Sequence, residues 1–298
     1  MAWGLPGKFA KPMLQIDAHQ HFWKFDPARD SWITDEMGVI RRDFAPSDLD
    51  PFLRDNQFDG SIVVQCTQSE EENEFLLAMA DENDFIKGVV GWIDLQNDKI
   101  EERLAYYASS QKMKGFRHVL QSEEDRRFMM RPSFMNGISK LESFGFTYDI
   151  LIYADQLKYI PGFVKAFPNQ KFVIDHIAKP RIRNHEIKEW KEELKAVAKY
   201  EHVYCKISGM VTEADWMNWK QADFIPYLDV VVESFGPNRI MFGSDWPVCL
   251  VAASYGEVVE IVKEFFSSFS EAEQELFFGE NANRFYNLEK VHEIASIT

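Results

Sequence analysis

His19-Gln20-His21 closes the first apolar run of the chain, Met13 to Ile16 followed by Asp17. Side chains alternate along a strand, so histidines at i and i+2 face the same way and can reach one metal ion or one substrate. Arg117 with His118, His176 and Asp245 also stand where an apolar run stops. Four of the seven histidines therefore mark strand ends, and core packing gives no reason for that placement. His185, His202 and His292 fall in helical or loop contexts and read as solvated.

Attack of water on a carbonyl is the chemistry such a set would serve. An ionised carboxylate such as Asp245 can hold the water and deprotonate it. Neutral imidazoles of His19, His21 and His176, together with Asp245, make a mononuclear ligand set for one divalent ion, zinc or manganese, with a position left for water or substrate. The ion would polarise the carbonyl and lower the pKa of the water. Arg117 can hold an anionic oxygen or a carboxylate in its planar fork. His118 is its neighbour in sequence, so strand parity sends the two in opposite directions and only one of them enters the interior.

Strands that could position these groups are expected near Met13–Asp17, Ser61–Gln65, Lys87–Asp94, Met113–His118, Thr147–Ile152, Lys171–Asp175, Val203–Ile207 and Ile240–Gly243. Their starts lie 48, 26, 26, 34, 24, 32 and 37 residues apart, room for one strand, one helix and two loops in each interval. Most are near-continuous apolar runs, as parallel strands buried on both faces are. Eight such units are the count for a closed (β/α)8 barrel, an α/β fold, whereas the glycine-rich first turn of an open doubly wound sheet is absent. Between the strands, Ser69 and Glu72 form a capping box before Phe75-Leu76-Leu77, and His185 to Tyr200 has helical spacing with a solvated face. Trp23 to Pro46 and Ser208 to Pro226 are long strand-to-helix loops and candidate lids over the catalytic face.

A chain of 298 residues accommodates this as one domain, residues 13–290, between an N-terminal extension (1–12) and a C-terminal tail (291–298). Hydrophobic residues at 46% suffice for a large core and exclude a disordered chain. The 25 Phe and 8 Trp exceed the needs of an aliphatic core, so some should line a pocket. Trp23, Trp32, Gln65 and Trp246 are the candidate substrate contacts. The net charge of −15 repels nucleic acid and anionic membranes alike. Three widely spaced cysteines build neither a disulfide framework nor a zinc knuckle, and no run reaches 18 apolar residues, so a reducing cytoplasm is expected. A homo-oligomer stays open, because exposed Trp residues suit a lid or an interface.

Ile16-Asp17-Ala18-His19-Gln20-His21-Phe22-Trp23 resembles the opening motif of the lactonase-like branch of the amidohydrolase superfamily. Lys114 to His118, Val173 to Pro180 and Phe242 to Pro247 resemble three further blocks of that branch in the same order, over about residues 13 to 290. The resemblance implies a distorted TIM barrel whose members hydrolyse lactones, among them fuconolactone, rhamnonolactone and pyrone dicarboxylate lactone. It implies Asp245 as the base that activates water, and His19, His21 and His176 as the metal-binding or carbonyl-polarising cluster. Tyr148 to Tyr153 lacks the histidine that many members carry in the fifth strand, so a mononuclear or metal-free site is expected and a binuclear one is not. In a metal-free site the histidines and Arg117 would polarise the carbonyl as hydrogen-bond donors.

The leading expectation is hydrolysis of a sugar-acid lactone such as L-fuconolactone or L-rhamnonolactone, with Asp245, His176, His118 and Arg117 as the catalytic candidates. A pyrone or aromatic dicarboxylate lactone is the rival. It would need several pocket arginines from Arg41, Arg42, Arg117, Arg181 and Arg183. Decarboxylation, the chemistry of a neighbouring branch, and a barrel that has kept only binding are the remaining alternatives.

Overall fold

Eight short strands pair in chain order, each parallel to the one before it. They are β1 (Ile16–Gln20), β2 (Gly60–Val64), β3 (Ile86–Gly91), β4 (Met113–His118), β5 (Thr147–Ile150), β6 (Phe172–Ile174), β7 (Val203–Ile207) and β8 (Ile240–Phe242). Behind them lie α1 (Pro46–Asp55), α2 (Glu70–Glu82), α3 (Ile100–Tyr107), α4 (Pro132–Leu141), α5 (Ile160–Lys165), α6 (Lys188–Ala198), α7 (Gln221–Phe235) and α8 (Tyr255–Phe266). Two short helices, α9 (Glu271–Glu275) and α10 (Asn281–Tyr286), end the fold. The chain returns to its first strand just beyond β8: Asp245 N donates to His19 O at 2.8 Å and His21 N to Trp246 O at 2.7 Å. The result is the expected (β/α)8 barrel. This computed structural model describes residues 13–288, so the expected extension 1–12, the tail 291–298 and His292 lie outside the described residues. Among the described residues no helix is long and apolar enough to cross a membrane.

Alternation sorts each strand into an outward face that meets the helices and an inward face that fills the barrel. The inward side chains near the amino-terminal ends are apolar: Ile16, Ala18, Ile62, Val64, Val90, Val173 and Met241 pack with Phe285 and Tyr286 of α10. Lys171, just before β6, donates to the carbonyls of Arg284 and Phe285 and so ties α10 to that end. Toward the carboxyl ends the interior turns polar, with His19, Arg117, Asp149, Asp175 and Lys206 all buried. A register shift in β1 between Asp17 and Gln20 lets Asp17 meet Tyr255 of α8 while His19 reaches Lys206 and Arg117 inside the barrel.

Strands β4 and β7 run as the apolar pattern predicts. The first strand does not: Ile16–Gln20 replaces the expected Met13–Asp17. Its polar residues Asp17, His19 and Gln20 are fully buried, so the pairing continues past the point where the apolar run stops. The expected capping box of α2 is also only half formed. Ser69 Oγ accepts from Glu72 N at 3.2 Å, but the Glu72 carboxylate turns away to accept from the backbone of Cys66 and Thr67. That pairing anchors the loop after β2 in place of the reciprocal cap.

Asp17 fastens the closing seam, accepting from Ser244 N at 2.9 Å, His19 N at 3.2 Å and Tyr255 Oη at 3.2 Å. Burial pushes its carboxyl up to about 6 even though Ser244, His19 and Tyr255 all favour the ionised form. Replacing Asp17 by Ala leaves these buried donors without an acceptor, and about 2 kcal/mol of stability should go with them. A lower urea midpoint at unchanged slope is the expected result; an unchanged midpoint would show that the seam holds without the carboxylate.

Candidate active site

Four side chains from three strand ends converge at the carboxyl end of the barrel. His19 Nε2 lies 3.2 Å from His21 Nε2, and His21 Nε2 lies 3.3 Å from Asp245 Oδ1. Asp245 Oδ1 is also 4.0 Å from His19 Nε2 and 3.9 Å from His176 Nε2. The second-line partners fix the rings. His21 Nδ1 is 2.7 Å from the Val64 carbonyl, which can only accept, so Nδ1 carries a proton and Nε2 faces the cluster. His176 Nδ1 meets Ser208 Oγ at 2.9 Å.

The turn that delivers His176 is left-handed throughout. His176, Ile177, Ala178 and Lys179 have φ of 53°, 48°, 60° and 49°, a conformation that costs non-glycine residues, β-branched Ile most of all. Asp245 shares it at φ 58°. Gly209 packs beneath this turn with φ 61°, and a Cβ there would meet His176 Nδ1 at 2.6 Å. The strain is held by burial, since His176, Ile177 and Ala178 of the turn are all buried.

Protonation follows from the surroundings. Burial alone would raise the Asp245 carboxyl, but the His176 and His21 rings and the Lys179 ammonium hold it below its ordinary range. Burial keeps the His19 and His176 rings well below the ordinary histidine value, so both are neutral at pH 7. Below them, Lys206 joins Asp149 Oδ2 at 2.5 Å and Asp175 Oδ1 at 3.1 Å, while Arg117 Nη1 holds Asp175 Oδ2 at 3.0 Å.

Two donors bound at 2.0–2.1 Å to a tetrahedral ion stand about 3.3 Å apart. The His19–His21 and His21–Asp245 separations match that spacing, and neutral imidazoles with one carboxylate are the donor types such an ion takes. His19, His21 and Asp245 therefore fit a divalent ion as they stand, with His176 within reach as a fourth ligand.

A cavity of about 380 Å³ opens over the cluster. His21, Arg117, His176 and Asp245 form its floor, and Trp32, Tyr153 and Trp216 supply aromatic wall. Both long loops contribute, Trp32 and Met37 from the first and Thr212, Glu213 and Trp216 from the second. Glu213 and Lys179 face each other at 3.9 Å in its side. Burial raises the Glu213 carboxyl, against the pull of Lys179. Of the five arginines that the sequence offered for a dicarboxylate, only Arg117 lines this cavity among the described residues.

Strand parity settles the Arg117–His118 pair in favour of Arg117. His118 points outward, stacked on Phe128 at 5.0 Å and paired with Glu123 at 2.7 Å, so it does not reach the cluster as expected of a catalytic group. Three expected substrate contacts also lie behind the cavity wall. Gln65 donates to the Arg117 carbonyl at 3.0 Å, and the Arg117 guanidinium donates back to the Gln65 carbonyl. Trp246 is fully buried between Phe22 and Phe44. Trp23 is buried against Phe44 and buttresses Trp32, which does face the cavity. Sequence reading missed Lys206, Asp149 and Asp175, although each is a charged residue inside or at the end of an otherwise apolar strand; it also missed Lys179 and Glu213.

Comparison with known proteins adds to this geometry. Residues 16–288 match the model of a family described as amidohydrolase. The chain belongs to this family. An L-fucono-1,5-lactonase of Burkholderia multivorans is 39% identical over 286 residues, spanning 92% of this amidohydrolase and 96% of the relative. A second L-fucono-1,5-lactonase, from Burkholderia ambifaria, is 32% identical over 246 residues, 82% and 83% of the two chains. The crystal structure of an amidohydrolase from Burkholderia multivorans with bound zinc superposes with a TM-score of 0.89 at 39% identity, covering 93% of this chain and all 100% of that one. That zinc-bound relative and the donor set here together support a divalent metal in this amidohydrolase.

Replacing Gly209 by Ala should displace His176 and lower kcat by about 10²-fold, since an ångström-scale misplacement of a reacting group costs that much. His118→Gln should leave kcat essentially unchanged. Steady-state kinetics on the two folded variants checks both, and the reverse ranking would mean that the site lies on the outer face of β4.

Proposed function

We propose that this amidohydrolase hydrolyses a sugar-acid lactone, of the L-fuconolactone or L-rhamnonolactone kind, to the open aldonic acid. The observation that carries this reading is the cavity lining: one arginine on the floor, a carboxylate at the side in Glu213, and aromatic wall from Trp32, Tyr153 and Trp216. Sugar faces stack on aromatic rings, and hydroxyls need placed donors and acceptors. A dicarboxylate would need more than one guanidinium, and Arg117 is the one arginine in this lining among the described residues. The two L-fucono-1,5-lactonases at 39% and 32% identity support the same substrate class.

Asp245 takes a proton from a water molecule while the water oxygen adds to the lactone carbonyl carbon. Arg117 and the ring N–H groups within reach stabilise the negative charge that builds on the carbonyl oxygen. Collapse of the tetrahedral adduct breaks the ring C–O bond, and Asp245 returns its proton to the departing ring oxygen, leaving a hydroxyl and a carboxylic acid that ionises. His19, His21, His176 and Asp245 are the residues that would hold zinc or manganese, which when bound supplies Lewis-acid polarisation of the carbonyl. The three cysteines are unpaired, which suits a reducing cytoplasm.

The test is acid release, followed with a pH indicator, from a panel of aldonolactones and a pyrone dicarboxylate lactone, with and without chelator. Acid from the L-fucono- or L-rhamnonolactone and none from the dicarboxylate is expected; the opposite pattern would move the substrate to the anionic class. Asp245→Asn should lower kcat by about 10²–10⁴-fold. Glu213→Gln should act mainly on KM, because a group that binds a remote hydroxyl contributes equally before and during the reaction.

A further inference from the structure

Trp190 sits with Leu194 and Val197 on the buried face of α6, its ring 5.3 Å from that of Tyr227 on α7. Packing accounts for the ring but not for where the indole N–H goes. Nε1 donates at 2.8 Å to the carbonyl of Ile177, inside the left-handed turn that carries His176. A buried indole N–H needs an acceptor, and this acceptor has a need of its own.

Lys179 N donates to His176 O at 2.8 Å, three residues back, as in any tight turn. The next bond of that kind would run to Ile177 O from Pro180, which has no N–H to give. Ile177 is fully buried, so its carbonyl needs a donor from elsewhere. The Trp190 side chain, 13 residues further along the chain, supplies it. The Ile177 carbonyl belongs to the peptide unit that joins Ile177 to Ala178. Holding it fixes ψ of Ile177 at 29° and φ of Ala178 at 60°, the two dihedrals by which that unit would rotate out of the left-handed form. Before this peptide stands His176, with Nε2 3.9 Å from Asp245 Oδ1. After it stands Lys179, whose ammonium faces Glu213 at 3.9 Å in the cavity side.

We propose that Trp190 is a positioning residue: its indole N–H replaces the amide that Pro180 lacks and holds the turn that aims His176 at the cluster and Lys179 at the cavity. Trp190 does not itself line that cavity and acts through one carbonyl. Gly209 leaves the space that the turn occupies, and Trp190 supplies the bond that keeps the turn in it. Without that bond the left-handed residues lose part of what offsets their conformational cost, and rotation of the peptide between Ile177 and Ala178 is the nearest release.

Trp190→Phe removes the N–H and keeps an aromatic ring. Hydrogen–deuterium exchange mass spectrometry of the full chain should show faster exchange over residues 175–182, with β1 and β5 exchanging as in the wild type. This arm needs no substrate, so it tests the turn separately from the lactone reading, on which the kinetic arm rests. On the lactone that the wild type hydrolyses, kcat should fall at least about tenfold, because an ångström-scale shift of a reacting group costs up to about 10²-fold. Adding Ala178→Gly should restore most of that loss, since glycine takes the left-handed form without penalty. Ala178→Gly alone is the reference, and a ring that served packing only would leave the two changes additive. If Trp190→Phe does not fold, 3-benzothienylalanine at position 190, which keeps the bicyclic ring and puts sulfur in place of the N–H, takes over with the same expectations. Faster exchange in a chain that turns over no lactone would remove the lactone reading and leave the role of Trp190 standing. Unchanged exchange across the turn in the folded variant, or losses that add when glycine is introduced, would overturn the proposal.

Discussion

Four charged side chains, Asp149, Asp175, Lys206 and Arg117, share the interior of the barrel directly beneath the His19–His21–Asp245 cluster, and every one is buried. Isolated ions in such a place cost far more than a domain can supply, so they persist only as a balanced set. Two acids and two bases give zero net charge, and each pair is in contact. Lys206 draws the Asp175 carboxyl well below the ordinary range, against the effect of burial, and His19 and Arg117 act in the same direction. The rings of the site above are positioned by this floor: His19 rests on it directly and Arg117 is part of it. The apolar lower half of the barrel, plugged by α10, is what keeps water from dissolving the set.

The groups of the cluster above stand on a less relaxed support. The left-handed turn from His176 to Lys179 and the left-handed Asp245 aim two side chains at the same point from neighbouring quarters of the barrel. Gly209 makes room beneath the first of these turns. Relaxed turns at either place would point His176 or Asp245 elsewhere. The long loops add the cavity wall, whereas the strand ends supply its floor.

Eight regularly spaced apolar runs were enough to read the barrel, because parallel strands buried on both faces leave that trace. His19, His21, His176 and Asp245 were legible because polar residues at the end of such a run have no packing reason to be there. Asp149, Asp175 and Lys206 obey the same logic but lie within or against the runs, where a single charge reads as noise unless its parity is compared with the strand next to it. Arg117 and Asp149 are cross-strand partners in the β4–β5 register, a relation that no single segment contains. Trp246 and Gln65 failed as substrate contacts for another reason: position beside a catalytic residue says nothing about which way a side chain turns once the chain bends.

The seam between the first and last strands gives the site a place in time as well as in space. Asp17 and Ser244 meet across 227 residues of chain, and the backbone bonds from His21 and Asp245 close the same gap. A ribosome adding 5–20 residues per second needs roughly 10–50 s to make the second half of that contact after the first. Until then His19 and His21 wait on an unclosed edge with neither Asp245 nor a completed floor. A nascent or truncated chain therefore holds His19 and His21 without Asp245 beside them until the final strand docks.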